Sequence, residues 1–277
     1  MSLFVFAIVM AAAVLHASWN AIVKSAGDKF LTTMMVTAAA ATLSAVLLPF
    51  LPAPAPASWP YAAASAVFQI VYFLLVARTY QLADMSQAYP LMRGTAPLIV
   101  ALVSRFALGD VLSSTAWAGI IALCLGIFSI ALGNKINDRK GISLALLNAL
   151  VIAGYTLIDG TGARRSGAPA AYTLWVFLLT GLPLTLWAAS ARRSTFLPYF
   201  GRHWRLGLAG GVGTTASYGL ALWAMTVAPV AIVAALRETS ILFGTLIAAL
   251  VLREHVGPRR LISACIIAAG AAILRLA

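Results

Sequence analysis

The sequence predicts an all-α integral membrane protein, with about ten transmembrane helices arranged as two inverted five-helix repeats. Three observations carry this. First, 62% of the 277 residues are hydrophobic and 9% are charged, against about 25% charged in a soluble domain. Second, the apolar residues fall into runs of the roughly 20 residues needed to cross a bilayer. Third, one pattern occurs twice: Arg93, Thr95, Leu98, Leu102, Leu108, Asp110 and Gly126 match Arg237, Thr239, Leu242, Leu246, Leu252, Glu254 and Gly270 at one offset, 237 − 93 = 144.

The first span is Leu3–Ala26, which has no basic leader or small-residue cleavage site and is expected to stay as a permanent helix. Phe30–Leu51 follows and ends at the proline-rich connector Pro52–Pro56. Ser58–Leu82 and Ser86–Leu108 come next, the latter holding Pro90 and Pro97. Leu112–Gly133 completes the first unit, residues 1–134. The polar midpoint Asn134–Lys140 opens the second unit, residues 135–277. Its spans are Ile142–Ala163, Pro169–Ser190, Trp204–Thr226, Pro229–Leu252 and Gly257–Leu276. None shows the period-2 alternation of a membrane barrel, and a helix satisfies its own backbone in lipid. Five spans per unit is an odd number, so the second copy enters the membrane upside down. The first helices match more weakly: Trp19 aligns with Tyr155 at 155 − 19 = 136, which requires an insertion before the fourth helices.

The net charge of +12 sits mostly at helix ends. That pattern sets membrane orientation and excludes nucleic acid as a partner. Lys24, Lys29, Arg78, Lys135, Arg139, Lys140, Arg192, Arg193, Arg202, Arg205, Arg253, Arg259 and Arg260 fall on one side; Arg105, Arg164, Arg165 and Arg275 fall on the other. Loop charge therefore favours both termini outside the cytoplasm. Cys124 and Cys265 lie inside spans and read as small apolar residues.

Arg93 and Arg237 are the sharpest candidates for a site. Each is a cation inside a span, where charge is costly and turns toward a cavity or a counter-charge. Glu238 is expected to pair with Arg93 across the halves, or to carry a coupling proton. Pro90 and Pro97 mark the fourth helix as the one to kink or break; Ala234 and Ile241 stand at the matching places in the ninth. His16, Asn20 and Lys24, four apart, form a polar stripe beside Trp19 that is a candidate cavity lining, with His16 also a candidate for proton coupling. Asp159 reads either as a proton-coupling carboxylate or as a solvated end charge near Arg164 and Arg165. Tyr72, Tyr89, Tyr155, Tyr218 and Trp223 are candidate cavity walls. Gly126 and Gly270 suit close helix packing away from the route.

The stretch His16-Ala17-Ser18-Trp19-Asn20-Ala21-Ile22-Val23-Lys24, together with Leu108-Gly109-Asp110 and Leu252-Arg253-Glu254, each leading into a Gly-containing helix, resembles the drug/metabolite transporter (DMT) superfamily and its ten-helix EamA-type members. The resemblance covers nearly the whole chain as two units. Asn20, Gly109-Asp110 and Arg253-Glu254 depart from the family's usual Gly after the Trp and Gly-Glu after the fourth helix. The resemblance implies a cavity among helices one, three, four, six, eight and nine, and termini in the cytoplasm, against the loop charge.

The expected function is secondary active transport, in the export direction, of a small polar or amphiphilic metabolite by alternating access. An amino acid or organic acid fits the two guanidinium groups. The competing classes are an intramembrane enzyme and a passive channel. GxSxG, HExxH and GxxxxGK[ST] motifs are absent from the sequence, so catalysis and direct ATP drive are not expected. A bacterial plasma membrane is the expected location. Lipid, a small-molecule solute and a coupling proton are the expected partners, with no cofactor, no metal, and a monomer or homodimer.

Overall fold

The computed structural model describes residues 1–82, 85–131, 139–191, 193–251, 253 and 256–277. The polar midpoint up to Asp138, with Lys135, and also Arg192, Leu252, Glu254 and His255, lie outside the described residues. The described chain forms α1 (Leu3–Ser25), α2 (Lys29–Leu47), α3 (Trp59–Leu82), α4 (Met85–Ala107), α5 (Ser114–Ala131), α6 (Arg139–Ser166), α7 (Pro169–Ala191), α8 (Arg193–Val227), α9 (Val230–Arg237), α10 (Ser240–Leu250) and α11 (Pro258–Leu276). Short 3₁₀ turns at Leu48–Phe50 and Pro56–Ser58 bracket the proline-rich connector.

Local chemistry sets the ends. The Ser2 and Asp28 side chains accept from Val5 N (3.3 Å) and Leu31 N (2.9 Å), each taking up a backbone donor left free at a helix start. Gly109 and Gly167, with φ of 69° and 63°, turn the chain out of α4 and α6 through a conformation that a side chain disfavours. Among the described residues, seven segments are long and apolar enough to cross a bilayer, α9 and α10 together counting as one. The polar start of α4, the Gly- and Thr-rich middle of α8 and the three arginines of α11 dilute the other three.

The repeat is inverted. At one end of the bundle, Arg275 donates to Met1 O (2.9 Å), Ala55 N to Ser166 O (2.9 Å), and Arg164 to Met225 O and Ala228 O (2.8 and 2.9 Å). Those contacts join the chain's start, the α2–α3 and α6–α7 turns, and the ends of α8 and α11. At the opposite end, Ser129 and Ser263 share a hydrogen bond (2.7 Å), as do Thr32 and Tyr199 (2.7 Å). The first half thus starts at one end and the second, at Arg139 just beyond α5, at the other. Exchanging the halves maps helix contacts onto one another: α1 packs on α8 as α6 packs on α3, and α4 on α6 as α10 on α1.

The α5–α11 seam shows the symmetry at atomic scale. A Cβ on Gly126 would meet Ile267 N at 2.9 Å, and one on Gly270 would meet Leu123 N at 2.6 Å. These are the same contact read from either half, since 270 − 126 = 267 − 123 = 144. Two backbones approach this closely only through small residues. In the same way Gly211 of α8 lies against the Ala39–Ala40 backbone of α2.

The ninth span is the one that breaks. Glu238 N and Thr239 N donate to Ala235 O and Leu236 O, both at 3.0 Å, and Ile241 N donates to Glu238 O. These i→i+3 bonds tighten the helix into a 3₁₀ turn between α9 and α10. The Thr239 hydroxyl adds a 2.6 Å bond to Leu236 O. Of the two alternatives for the fourth helix, kink or break, the break is corrected: α4 runs through Pro90 and Pro97 unbroken. Proline removes one backbone donor each time, which a bend absorbs.

Gly270→Val should lower the melting temperature in detergent, because the added atoms meet backbone that cannot retreat; overpacking of this kind costs about 1–3 kcal/mol. Gly244→Ala, at a site open within 4 Å, should leave it unchanged. Equal melting of both variants would remove the seam from the account of stability.

Candidate functional site

A cavity of about 120 Å³ lies among α1, α2, α3, α4, α6, α7, α8 and α9. Its lining includes His16, Trp19, Tyr72, Arg93, Tyr155, Tyr218 and Arg237, all predicted from sequence. It runs toward the basic end of the bundle, reaching Thr33 in the second turn of α2.

Six rings make the apolar wall: Trp19, Tyr72, Phe73, Tyr155, Phe177 and Tyr218. They pack edge to face, Tyr72 on Tyr155 at 6.0 Å and Phe177 on Tyr218 at 5.9 Å. His16 meets Trp19 in the same way at 5.3 Å. Edge-on rings hold one another rigidly and leave faces for a solute.

The charged core is asymmetric. Arg93 Nε of α4 lies 2.7 Å from Glu238 Oε2 at the α9–α10 break, with side chains 8% and 7% exposed. This pair crosses from one half to the other, and it occupies the carboxylate fully enough that Glu238 is not on the cavity wall. The 144-residue offset carries Arg93 to Arg237 but carries Glu238 back to Gly94. The sequence has no carboxylate at that place, and the Phe128 ring fills the space beside it: a Cβ on Gly94 would meet the ring at 2.7 Å. Arg237 consequently forms no ion pair among the described residues. Its guanidinium sits over the Tyr218 ring, 4.9 Å from the centroid, a cation–π contact that leaves its N–H donors free to turn to an acceptor.

Two lining residues carry buried nitrogens without a hydrogen-bond partner among the described residues, Arg93 at Nη2 and Trp19 at Nε1. Asp159, behind the wall, accepts from Tyr172 (2.9 Å), Tyr218 (2.5 Å) and Gln69 (3.4 Å). Among the described residues, the charged groups on the lining are the two arginines, with no carboxylate beside them.

Some candidates are elsewhere. Asn20 donates to His16 O (2.7 Å) and turns back on its own helix. Tyr89 is half-buried on α4 and not on the lining. Trp223 packs on Phe4 at 5.9 Å. Asp159 is fully buried, which corrects the solvated-end alternative: α6 continues to Ser166, two turns beyond it. Arg164, its supposed neighbour, turns away to backbone carbonyls and to Asp110 at 3.8 Å. Sequence reasoning missed Thr33, Val36, Thr37 and Ala40 of α2 and Thr180 and Gly181 of α7. The cavity thus includes helices two and seven beyond the six that the resemblance implied. A signal existed in the threonines spaced four apart, which put hydroxyls on one face of α2.

Removing one partner of the central pair leaves a buried charge. Glu238→Ala should cost about 3–5 kcal/mol, while Arg93→Met with Glu238→Leu should recover most of that loss. Thermal denaturation of both variants in detergent checks this; a double variant as unstable as the single one would overturn it.

The EamA-like transporter family profile matches residues 3–132 and again 139–276. No curated protein matches the chain. A solved structure described as "Crystal structure of protein" superposes with a TM-score of 0.79, covering 100% of this chain and 98% of its own, at 19% identity, a likeness of fold. With both halves matched and the inverted bundle in place, the chain belongs to the EamA-like transporter family and is a membrane transporter of the DMT superfamily.

Proposed function

We propose that this transporter carries a small organic anion with an apolar or aromatic body, by alternating access of a single central site. The observation that supports this most is Arg237: a cation on the cavity wall, stacked on an aromatic ring, with no ion pair among the described residues. An oxyanion supplies acceptors for its fork and for the free nitrogens of Arg93 and Trp19. The rings offer stacking area to the rest of the solute. A carboxylate or phosphonate fits this better than an amino acid, whose ammonium needs an acceptor that Glu238 and Asp159 already give to others.

We also infer that the basic end faces the cytoplasm of a bacterial plasma membrane. Lys24, Lys29, Arg139, Lys140, Arg202, Arg205, Arg253, Arg259 and Arg260 all belong to that end. At the other end Arg164 is partly neutralised by Asp110. The positive-inside rule places the richer end inside. The cavity, running toward that end, is then loaded from the cytoplasm, as export requires.

In proteoliposomes, phenylphosphonate should show saturable counterflow, and benzyltrimethylammonium should not. Arg237→Ala should weaken phenylphosphonate about tenfold or more, the loss of a hydrogen bond to a charged group. Preference for the cation, or unchanged affinity in Arg237→Ala, would sink the anion reading. In a cysteine-free background, Arg260→Cys should react with an impermeant maleimide only after intact cells are opened. A tag after Ala277 should be reachable without opening them. The reverse pattern places the basic end outside.

A further inference from the structure

Asp159 has no part in holding the anion, yet it is built into the wall behind it. The residue is fully buried on α6. From α3 it meets Gln69 and Ser65, from α7 Tyr172, and from α8 Tyr218. All four donors are neutral, and no Lys, Arg or His among the described residues pairs with it. The titratable groups around it are Tyr172, with Tyr61 behind it, Tyr218, Tyr155 of its own helix and, beyond the Tyr218 ring, Arg237 of α9. The nearest cation of α4, Arg93, is committed to Glu238.

Tyr218 has two attachments. Its hydroxyl donates to Asp159 Oδ2, and its ring lies under the Arg237 guanidinium. One side chain therefore joins the hidden carboxylate to the cavity's free cation. Asp159 Oδ2 accepts from both Tyr218 and Gln69 while the carboxylate is ionised. A proton on that oxygen turns it into a donor, so at least one of those bonds must be given up. A change in the Tyr218 bond reaches the ring beneath Arg237.

Charge balance gives the arrangement a direction. Arg93 and Arg237 are matched by Glu238 and Asp159, so the empty centre is neutral when all four are ionised. An anion on Arg237 leaves one negative charge in excess, in surroundings that penalise an uncompensated ion. A proton on Asp159 removes the excess. Resting on the anion reading, we propose that each organic anion is carried with one proton held on Asp159, and that Tyr218 links the two occupancies. Transport is then electroneutral, and the solute gradient and the pH gradient together set its direction.

Two measurements test this on the full-length protein. The first needs no solute. Infrared difference spectra across an acid–base step should show the carbonyl stretch of a protonated carboxyl that Asp159→Asn abolishes, and that Glu238→Gln and Asp110→Asn retain. Tyr218→Phe should shift its frequency. A signal that survives in Asp159→Asn, or vanishes in Glu238→Gln, overturns the assignment. The second uses liposomes with a trapped pH dye. Benzenesulfonate, a monoanion at every pH used, should move with one proton per anion and without sensitivity to an imposed membrane potential. In Asp159→Asn, saturable benzenesulfonate exchange should continue with the proton ratio falling toward zero and with flux now following the potential. His16→Gln should keep the wild-type ratio; loss of the ratio there would move the proton to the imidazole instead. If phenylphosphonate and benzenesulfonate neither stabilise nor cross, the anion reading and the coupling fall together, while the infrared result still decides whether Asp159 takes a proton.

Discussion

The ion pair between Arg93 and Glu238 is the constraint from which the rest of the centre follows. It joins the two halves where water is excluded and both charges must be compensated. To reach it, the ninth span gives up regular helix at Glu238 and tightens into i→i+3 bonds. That turn also sets Arg237 on the cavity wall, although neighbouring positions of a regular helix do not share a face. The same residue that neutralises one arginine thus positions the other. Gly94 occupies the symmetry-related place, and the Phe128 ring fills the space beside it. An inverted repeat that duplicates the cation but not the carboxylate leaves Arg237 without a direct ion pair, its charge balanced only at a distance by Asp159 behind the Tyr218 ring. The anion reading rests on that open guanidinium.

The scaffold around this centre is close-packed at two crossings. At the α5–α11 seam, backbone meets backbone through Gly126 and Gly270, reciprocally across the pseudo-twofold. Neither helix lines the cavity. The wall instead draws on α2 and α7, which approach one another at Gly181, where a Cβ would meet Thr37 O at 3.0 Å. Small residues at that crossing bring the two helices together beside the cavity.

Much of this was legible in the sequence, and the failures are physical. The 144-residue offset exposed the duplication because paired arginines inside apolar runs are too costly to recur by chance placement. The pairing of Arg93 with Glu238 followed from the need to compensate both. The break was misplaced because proline is visible in a sequence and a side-chain-assisted 3₁₀ turn is not. Thr239 helps that turn through its own hydroxyl, and threonine is ordinary in helices. Asp159 was ambiguous because Arg164 and Arg165 follow it closely. Their side chains reach back to carbonyls at Met225 and Ala228 and to the Tyr61 ring, which a sequence does not reveal. The α2 wall escaped notice because threonine and alanine on a helix face look the same whether they pack or line space.

Inverted repeats make two openings equivalent in backbone, since exchanging the conformations of the halves turns one into the other. The charges here make them inequivalent in chemistry. Arg237 comes from the second half, with Tyr218 and Asp159 behind it, and the first half has no such chain: Gly94 follows its arginine. The central pair sits where α4 crosses the α9–α10 break, a contact that maps onto itself under the repeat. In the cycle proposed above, it would persist while contacts farther from the axis trade places. A solute on Arg237 would stay beside that fixed pair as the walls exchange. The two openings would then differ in the surroundings of Tyr218 and Asp159, which is where the proposed proton coupling would act.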